Sequence, residues 1–271
     1  MERLIPHLNG AEREAADHHI INTTIPLVEE SGNRSAVLGT CNFFEFGGRC
    51  FLVTANHTFE HFDPNRVGVP VREEDNRRIF RTLDGCRRFY WKDDALDVTA
   101  LEISESPLLI ALRRTYAVIG VESLARYGEP FDQYVIVGYT REASLGGAGD
   151  LWPRAVKVTS TQYEGKPPDD FRPGYEFLLE FAKDGWTADG SLVPSPKLQG
   201  MSGAAVWGVQ TTAKRSGPLW TPHDAVRVVG VQTAYQPQSY VRCHDWSLLA
   251  RLFEKIDPTL GAAIFAALEA T

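Results

Sequence analysis

The feature that most constrains this fold is a succession of short β-branched and aromatic runs, broken every few residues by Gly, Asn or Ser. It begins in "HIINTTIPLVEESGNRSAVLGTCNFFEFGGRCFLVTANHTFEHF". Branched and aromatic side chains suit a pleated, half-buried surface, and the turn residues between runs send the chain back on itself. The "EFGGR" between "GTCNFF" and "CFLVTA" is a hairpin signal. Further strands are expected at 67–71, 87–91, 97–103, 134–138, 155–161, 175–181, 203–210 and 226–235. Many short strands at regular intervals exclude an α/β sheet and predict an all-β sandwich or barrel. Helices are expected only at the end. "DWSLLARLFEKI" places Leu249, Leu252, Phe253 and Ile256 on one face, and "DPTLGAAIFAALEA" opens with Asp257 as N-cap and Pro258 in the first turn.

A chain of 271 residues, 43% hydrophobic and 23% charged, has mass for one large domain or two small ones. The expected organisation is a polar segment over 1–19, a first β unit over 20–125, a second over 126–244 and helices over 245–271, with the join in the looser stretch 104–129. The segments 163–174 and 183–199 read as surface loops, and "LGGAG" at 145–149 as a mobile loop without a nucleotide-binding pattern. A net charge of -7 with scattered Lys and Arg argues against nucleic acid or an anionic membrane as partner. The charged N-terminal stretch has no secretory apolar core, and no run of eighteen apolar residues occurs. Cys41, Cys50, Cys86 and Cys243 form no C-x-x-C pair and read as reduced thiols, although Cys41 and Cys50 could face each other across a hairpin. The expected location is cytoplasmic.

Chemistry enters with "LQGMSGAAVWG" at 198–208, where Ser202 lies between Gly200 and Gly203 and runs into a small-residue strand. A bare G-x-S-G occurs by chance in glycine-containing bends, so a nucleophile needs support elsewhere in the chain. A hydroxyl is almost un-ionised at neutral pH and requires a base, and histidine has the matching pKa. His7, His18, His19, His61, His223 and His244 read as surface residues, whereas His57 follows "CFLVTAN", where an apolar strand ends and its rigidity passes to the side chain. A histidine base in turn needs a carboxylate to hold its tautomer. Asp97 opens "DVTALEI", an apolar stretch in which an unpartnered acid would be costly; Asp93 and Asp94, in "WKDDAL", are the alternatives and read as solvated. The strand-to-helix elbow of α/β-hydrolases needs glycine where Ala204 stands, and the order His, Asp, Ser is not the order of that fold.

With these residues in place the sequence resembles the trypsin/chymotrypsin-like serine peptidase family, in particular its intracellular bacterial members. The matching stretches are "GTCNFF" with "CFLVTANH", "DVTALEI", "GMSGAAVW", "VVGVQTAY" and "YVIVGYT", within about residues 20 to 255. The resemblance implies two antiparallel six-stranded β-barrels with C-terminal helices, His57 and Asp97 on the first and Ser202 on the second. It implies a serine endopeptidase in which His57 is general base, Asp97 orients it and the N–H groups of Gly200 and Ser202 form an oxyanion hole. Pro196, Lys197, Gln199, Gln232, Thr233, Ala234 and Tyr235 would contact a protein or peptide substrate, with no metal or cofactor. Met201 replaces the aspartate that pairs with a new N-terminus in secreted members, which implies no activation of that kind. The sequence departs from the family at Cys41, Asn56, Ala204 and Ala205. An inactive peptide-binding scaffold and an esterase on the same residues are the competing functions. The stripe Leu260, Ile264 and Leu268 on the last helix either packs on the β body or binds a regulatory partner or second copy.

Overall fold

The computed structural model describes residues 10–31, 34–60, 65–91, 96–104, 107–128, 131, 133–144, 153–187, 191–210 and 221–270. The readings at His7, His61, Asp93, Asp94 and 145–149 lie outside these residues. The chain opens with α1 (Gly10–Asn22), followed by β1 (Thr24–Ser31), β2 (Arg34–Phe46), β3 (Arg49–Thr54), β4 (Val67–Arg72), β5 (Arg78–Thr82), β6 (Arg87–Tyr90) and β7 (Thr99–Ile103). These strands form one antiparallel seven-stranded sheet in the order β5-β4-β1-β2-β3-β7-β6. After α2 (Pro107–Thr115) come β8 (Gln133–Tyr139), β9 (Ala155–Ser160), β10 (Glu176–Glu180), β11 (Asp184–Trp186), β12 (Leu192–Pro194), β13 (Ala205–Val209), β14 (Val226–Gln236) and β15 (Tyr240–Asp245). Six of them form a second antiparallel sheet in the order β10-β15-β14-β13-β8-β9, and β11 and β12 pair alone. The chain ends in α3 (Trp246–Ile256) and α4 (Pro258–Glu269).

The protein is thus mostly β, with two large antiparallel sheets and C-terminal helices. The "EFGGR" hairpin forms as expected, Phe46 pairing with Arg49 across Gly47 and Gly48. Several elements go beyond the sequence reading. In α2, Leu108, Ala111 and Leu112 are buried at helical spacing, inside the stretch expected to be a loose join. The helix α1 occupies much of the segment expected to be merely polar, and it buries only Ala16 and Ile20. The edge strand β5, "RIFRT", has no buried residue and is held by its pairing with β4. β11 and β12 lie in the stretch 183–199 read as loop. Cys41 lies opposite Ile25 and Cys50 opposite Glu45, so the two do not face each other; all four cysteines are free.

Two-residue alternation distributes the strands among three cores. Along β3, Cys50 and Leu52 point into a cluster with Ile25, Leu27 and Val69, inside the first sheet. Phe51 and Val53, on the other face, join Phe44, Val137, Trp207 and Val228 in a seam between the sheets. β8 repeats the pattern, with Tyr134 and Ile136 in the second sheet's own cluster and Val135 and Val137 in the seam. The C-terminal helices close this seam. Trp246 lies 5.0 Å from Phe44, Phe253 lies 5.0 Å from Phe46, and Leu260, Ile264 and Leu268 are buried. The α4 stripe is therefore occupied by the molecule's own core. Asp257 caps α4 as expected, its carboxylate accepting the Thr259 N–H. Among the described residues no helix is long and apolar enough to cross a membrane.

Candidate active site

His57 lies in a 3-10 turn, Asn56–Phe59, directly after β3. Asp97 lies two residues before β7, the strand paired with β3, so one pairing sets both residues side by side. Asn56 N–H donates to the Asp97 carbonyl at 3.2 Å. His57 N–H donates to Asp97 Oδ1 at 2.9 Å, and His57 Nδ1 meets Oδ2 at 2.6 Å. An ionised carboxylate can only accept, so Nδ1 carries the proton and Nε2 keeps its lone pair. Both side chains are partly exposed, at 42% and 34%. The hydrogen bond His57 donates to Asp97 outweighs burial and raises the His57 pKa above its ordinary value.

Ser202 sits on two consecutive turns at the mouth of β13. Met201 N–H donates to Leu198 O and Ala204 N–H to Met201 O, each at 2.9 Å. Gly200 and Gly203, with φ of +98° and +94°, supply the left-handed backbone these turns need. A Cβ on Gly203 would overlap Thr40 O, Thr54 Oγ1 and Ala55 N, so the turn lies hard against the chain that leads into His57. Thr40 of β2 grips the turn from the first sheet. Its N–H donates to Ser202 O at 2.9 Å, and its hydroxyl donates to Gly200 O at 2.9 Å while accepting the Tyr139 N–H at 3.0 Å. Buried Asn42, on the same face of β2, accepts the Ala205 N–H at 2.8 Å and donates to Thr23 O at 3.0 Å.

These contacts orient the peptide units around the serine. Gln199 O accepts from Arg141 N–H at 2.8 Å, which turns the Gly200 N–H the opposite way. Neither the Gly200 nor the Ser202 N–H donates to another described residue. The Ser202 hydroxyl donates to Thr233 O at 3.4 Å. That carbonyl is available because the β14–β15 register shifts between Gln232 and Ala234. Met201 is fully buried in the second sheet's cluster with Leu198 and Ala204, where a charged side chain would have been costly.

Of the residues expected to meet a substrate, Gln232 and Thr233 are buried beside the Ser202 turn. Gly203 N–H donates to Gln232 O at 2.7 Å, and the Gln232 side-chain oxygen has no hydrogen-bond partner among the described residues. Ala234 is exposed, and half-buried Tyr235 packs on Phe181 with ring centres 5.9 Å apart. Pro196, Lys197 and Gln199 are exposed on the approach from β12. The sequence reading missed Thr40, Asn42, Arg88 and His244. Arg88 donates to Asn56 Oδ1 at 2.7 Å and lies over the Phe59 ring, bracing the 3-10 turn of His57. His244, expected at the surface, is buried at 3% exposure, and so is half-buried His19 drawn in, packed edge-on to Trp207 and His223. Among the described residues no group of three or more His, Cys, Asp or Glu is arranged to hold a metal.

No family model and no curated protein matches the chain. Among solved structures it is similar to a serine endoprotease from Yersinia pestis, at 14% identity over 92% of this chain and 68% of that one, with a TM-score of 0.48. It is also similar to a chain solved in a study of the coupled folding and binding of the intrinsically disordered Sesbania mosaic virus VPg protein. That likeness is 14% identical over 82% of this chain and 85% of that one, with a TM-score of 0.45.

Proposed function

We propose that the protein is a serine endopeptidase of the chymotrypsin-like kind, its sheets of seven and six strands, where six were expected in each, both wrapping a core as a barrel and its site lying between them. The observation that carries this reading is the Asp97 carboxylate, held by the His57 main chain and ring at once, with the turn of Ser202 packed against the residues leading into His57. In this reading His57 Nε2 removes the Ser202 proton as the oxygen attacks a peptide carbonyl, and then returns it to the leaving amine. Asp97 keeps the ring in the required tautomer and stabilises the imidazolium. The Gly200 and Ser202 N–H groups, without acceptors among the described residues, receive the oxyanion. Ser202 must exchange its bond to Thr233 O for one to His57, a side-chain rotation of the kind that accompanies substrate binding.

The partner required is a protein or peptide laid along the Gln232–Tyr235 edge, with Pro196, Lys197 and Gln199 at its approach. No metal or cofactor enters these steps. Burial of Met201 orders the nucleophile turn by packing, in place of an ion pair to a new N-terminus. The four free cysteines suit the cytoplasm. A fluorophosphonate probe tests the reading: it should label wild-type protein at Ser202 and leave Ser202→Ala unlabelled, and a peptide library should be cleaved only by the wild type. Absence of labelling in folded protein would leave a peptide-binding scaffold; labelling without peptide cleavage would leave an esterase.

A further inference from the structure

Behind Asp97 lies a second pairing of an imidazole with a carboxylate, contributed by the second sheet. His244 of β15 stands directly opposite Glu176 of β10. Both side chains are 4% exposed. Asp97 N–H donates to His244 Nε2 at 3.3 Å. The other ring nitrogen, Nδ1, is buried without a hydrogen-bond partner among the described residues and faces Glu176 Oε1 at 3.8 Å. Glu176 Oε2 is already engaged by Arg242 Nη2 at 2.7 Å, Arg242 Nε at 3.0 Å and the Arg172 N–H at 3.0 Å, which leaves Oε1 toward the ring.

Only one protonation state suits this arrangement. An acceptor at Nε2 requires the ring's proton on Nδ1, where it faces a carboxylate oxygen 3.8 Å away. The other tautomer would set two N–H groups against each other at Asp97 and a lone pair against Glu176. An imidazolium would have the same clash at Asp97. We propose that His244 is a positioning residue for the His57–Asp97 pair: neutral, with its proton directed at Glu176, it accepts the Asp97 N–H and ties the acid of the first sheet to the sheet that carries Ser202. Asp97 is then held at its carbonyl by Asn56, at its carboxylate by His57 and at its N–H by His244. Burial lowers the His244 pKa, as do Arg242 and Arg172, against the opposing pull of Glu176 and Asp97, which favours the neutral ring.

The role rests on the proposed catalytic reading of His57, Asp97 and Ser202, but its test does not depend on turnover. Nitrogen-15 NMR of the full chain with labelled histidine should show His244 neutral between pH 6 and 8, with Nδ1 protonated and Nε2 bare. A proton on Nε2 in that range overturns the proposal. In His244→Gln a side-chain oxygen can still accept the Asp97 N–H, so His57 titration and the phosphonylation rate of Ser202 should stay within about threefold. His244→Phe removes the acceptor. It should lower the phosphonylation rate about ten- to hundredfold and shift the His57 titration downward. An unchanged His57 titration in folded His244→Phe reduces His244 to core filling and overturns the proposal. If His244→Phe fails to fold, the wild-type tautomer and the His244→Gln titration decide. If wild-type protein is not phosphonylated at all, the peptidase reading fails, while the tautomer and the His57 titration still judge His244.

Discussion

At the scale of single residues the site is a set of hydrogen bonds with few alternatives, so conservative substitutions should be informative. Asp97→Asn offers an amide where two donors now meet a carboxylate, and the wrong His57 tautomer should follow. A loss of about a thousand- to ten-thousandfold in kcat is expected, measurable on any peptide the wild type cleaves. The raised His57 pKa also has a sign. In the proposed mechanism the base works only when neutral, so the acidic limb of kcat/KM should lie above pH 6.5, the ordinary histidine value. The pair's contribution to stability runs the other way: it is complete below about pH 6.5 and is lost as pH rises through the folded pKa. Thr40→Val keeps the shape but removes the hydroxyl between Gly200 O and Tyr139 N–H. It should cost about 1–3 kcal/mol in denaturant unfolding and slow Ser202 labelling, with Thr40→Ser restoring both.

At the scale of elements, what could be read in advance followed from periodicity. The continuous apolar runs of β3 and β8 and the capped start of α4 are visible in residue type alone, because burial on both faces of a strand selects apolar residues throughout. His57, Asp97 and Ser202 stand out in the sequence because each lies at the end of such a run. Thr40 and Asn42 carry no such mark: a polar residue within an apolar strand announces a buried partner without naming it, and the partners lie 160 and 163 residues away. His244 was misplaced for the same reason, since its partners Asp97 and Glu176 come from two different sheets. The helix α1 was unmarked because it buries only two side chains; a tertiary contact holds it, with His19 against Trp207 and His223. Burial and the nearby His223 lower the His19 pKa to about 4. The unfolded chain therefore binds that proton more readily, and stability should be intact above pH 6.5 and fall as pH drops toward 4. The loss is about 2 kcal/mol at most, since a half-buried ring is screened by solvent. Denaturant midpoints at pH 7 and 4.5, compared between wild type and His19→Phe, should show a smaller drop in the variant.

At the scale of the whole molecule the two halves of the site belong to different sheets, and the seam between them is also where the C-terminal helices pack. Ile264→Ala lies far along the chain from every site residue, yet it should cost about 2–5 kcal/mol and lower both sheets' stability together. Circular dichroism and Ser202 labelling, followed through the same denaturant series, should lose signal at one midpoint. The grip of β2 on the Ser202 turn bears on a different matter, the lengths this chain can tolerate. Thr40 and Asn42 lie two apart on one strand face, while the same strand pairs Asn42 with Val53 and so sets where β3 ends and His57 begins. A one-residue deletion in β2 would turn both side chains to the opposite face and shift the hairpin by one step. The exposed stretch 164–167 can lengthen or shorten without touching either half of the site. The hairpin over 34–54 can vary in composition only while its residue count stays fixed.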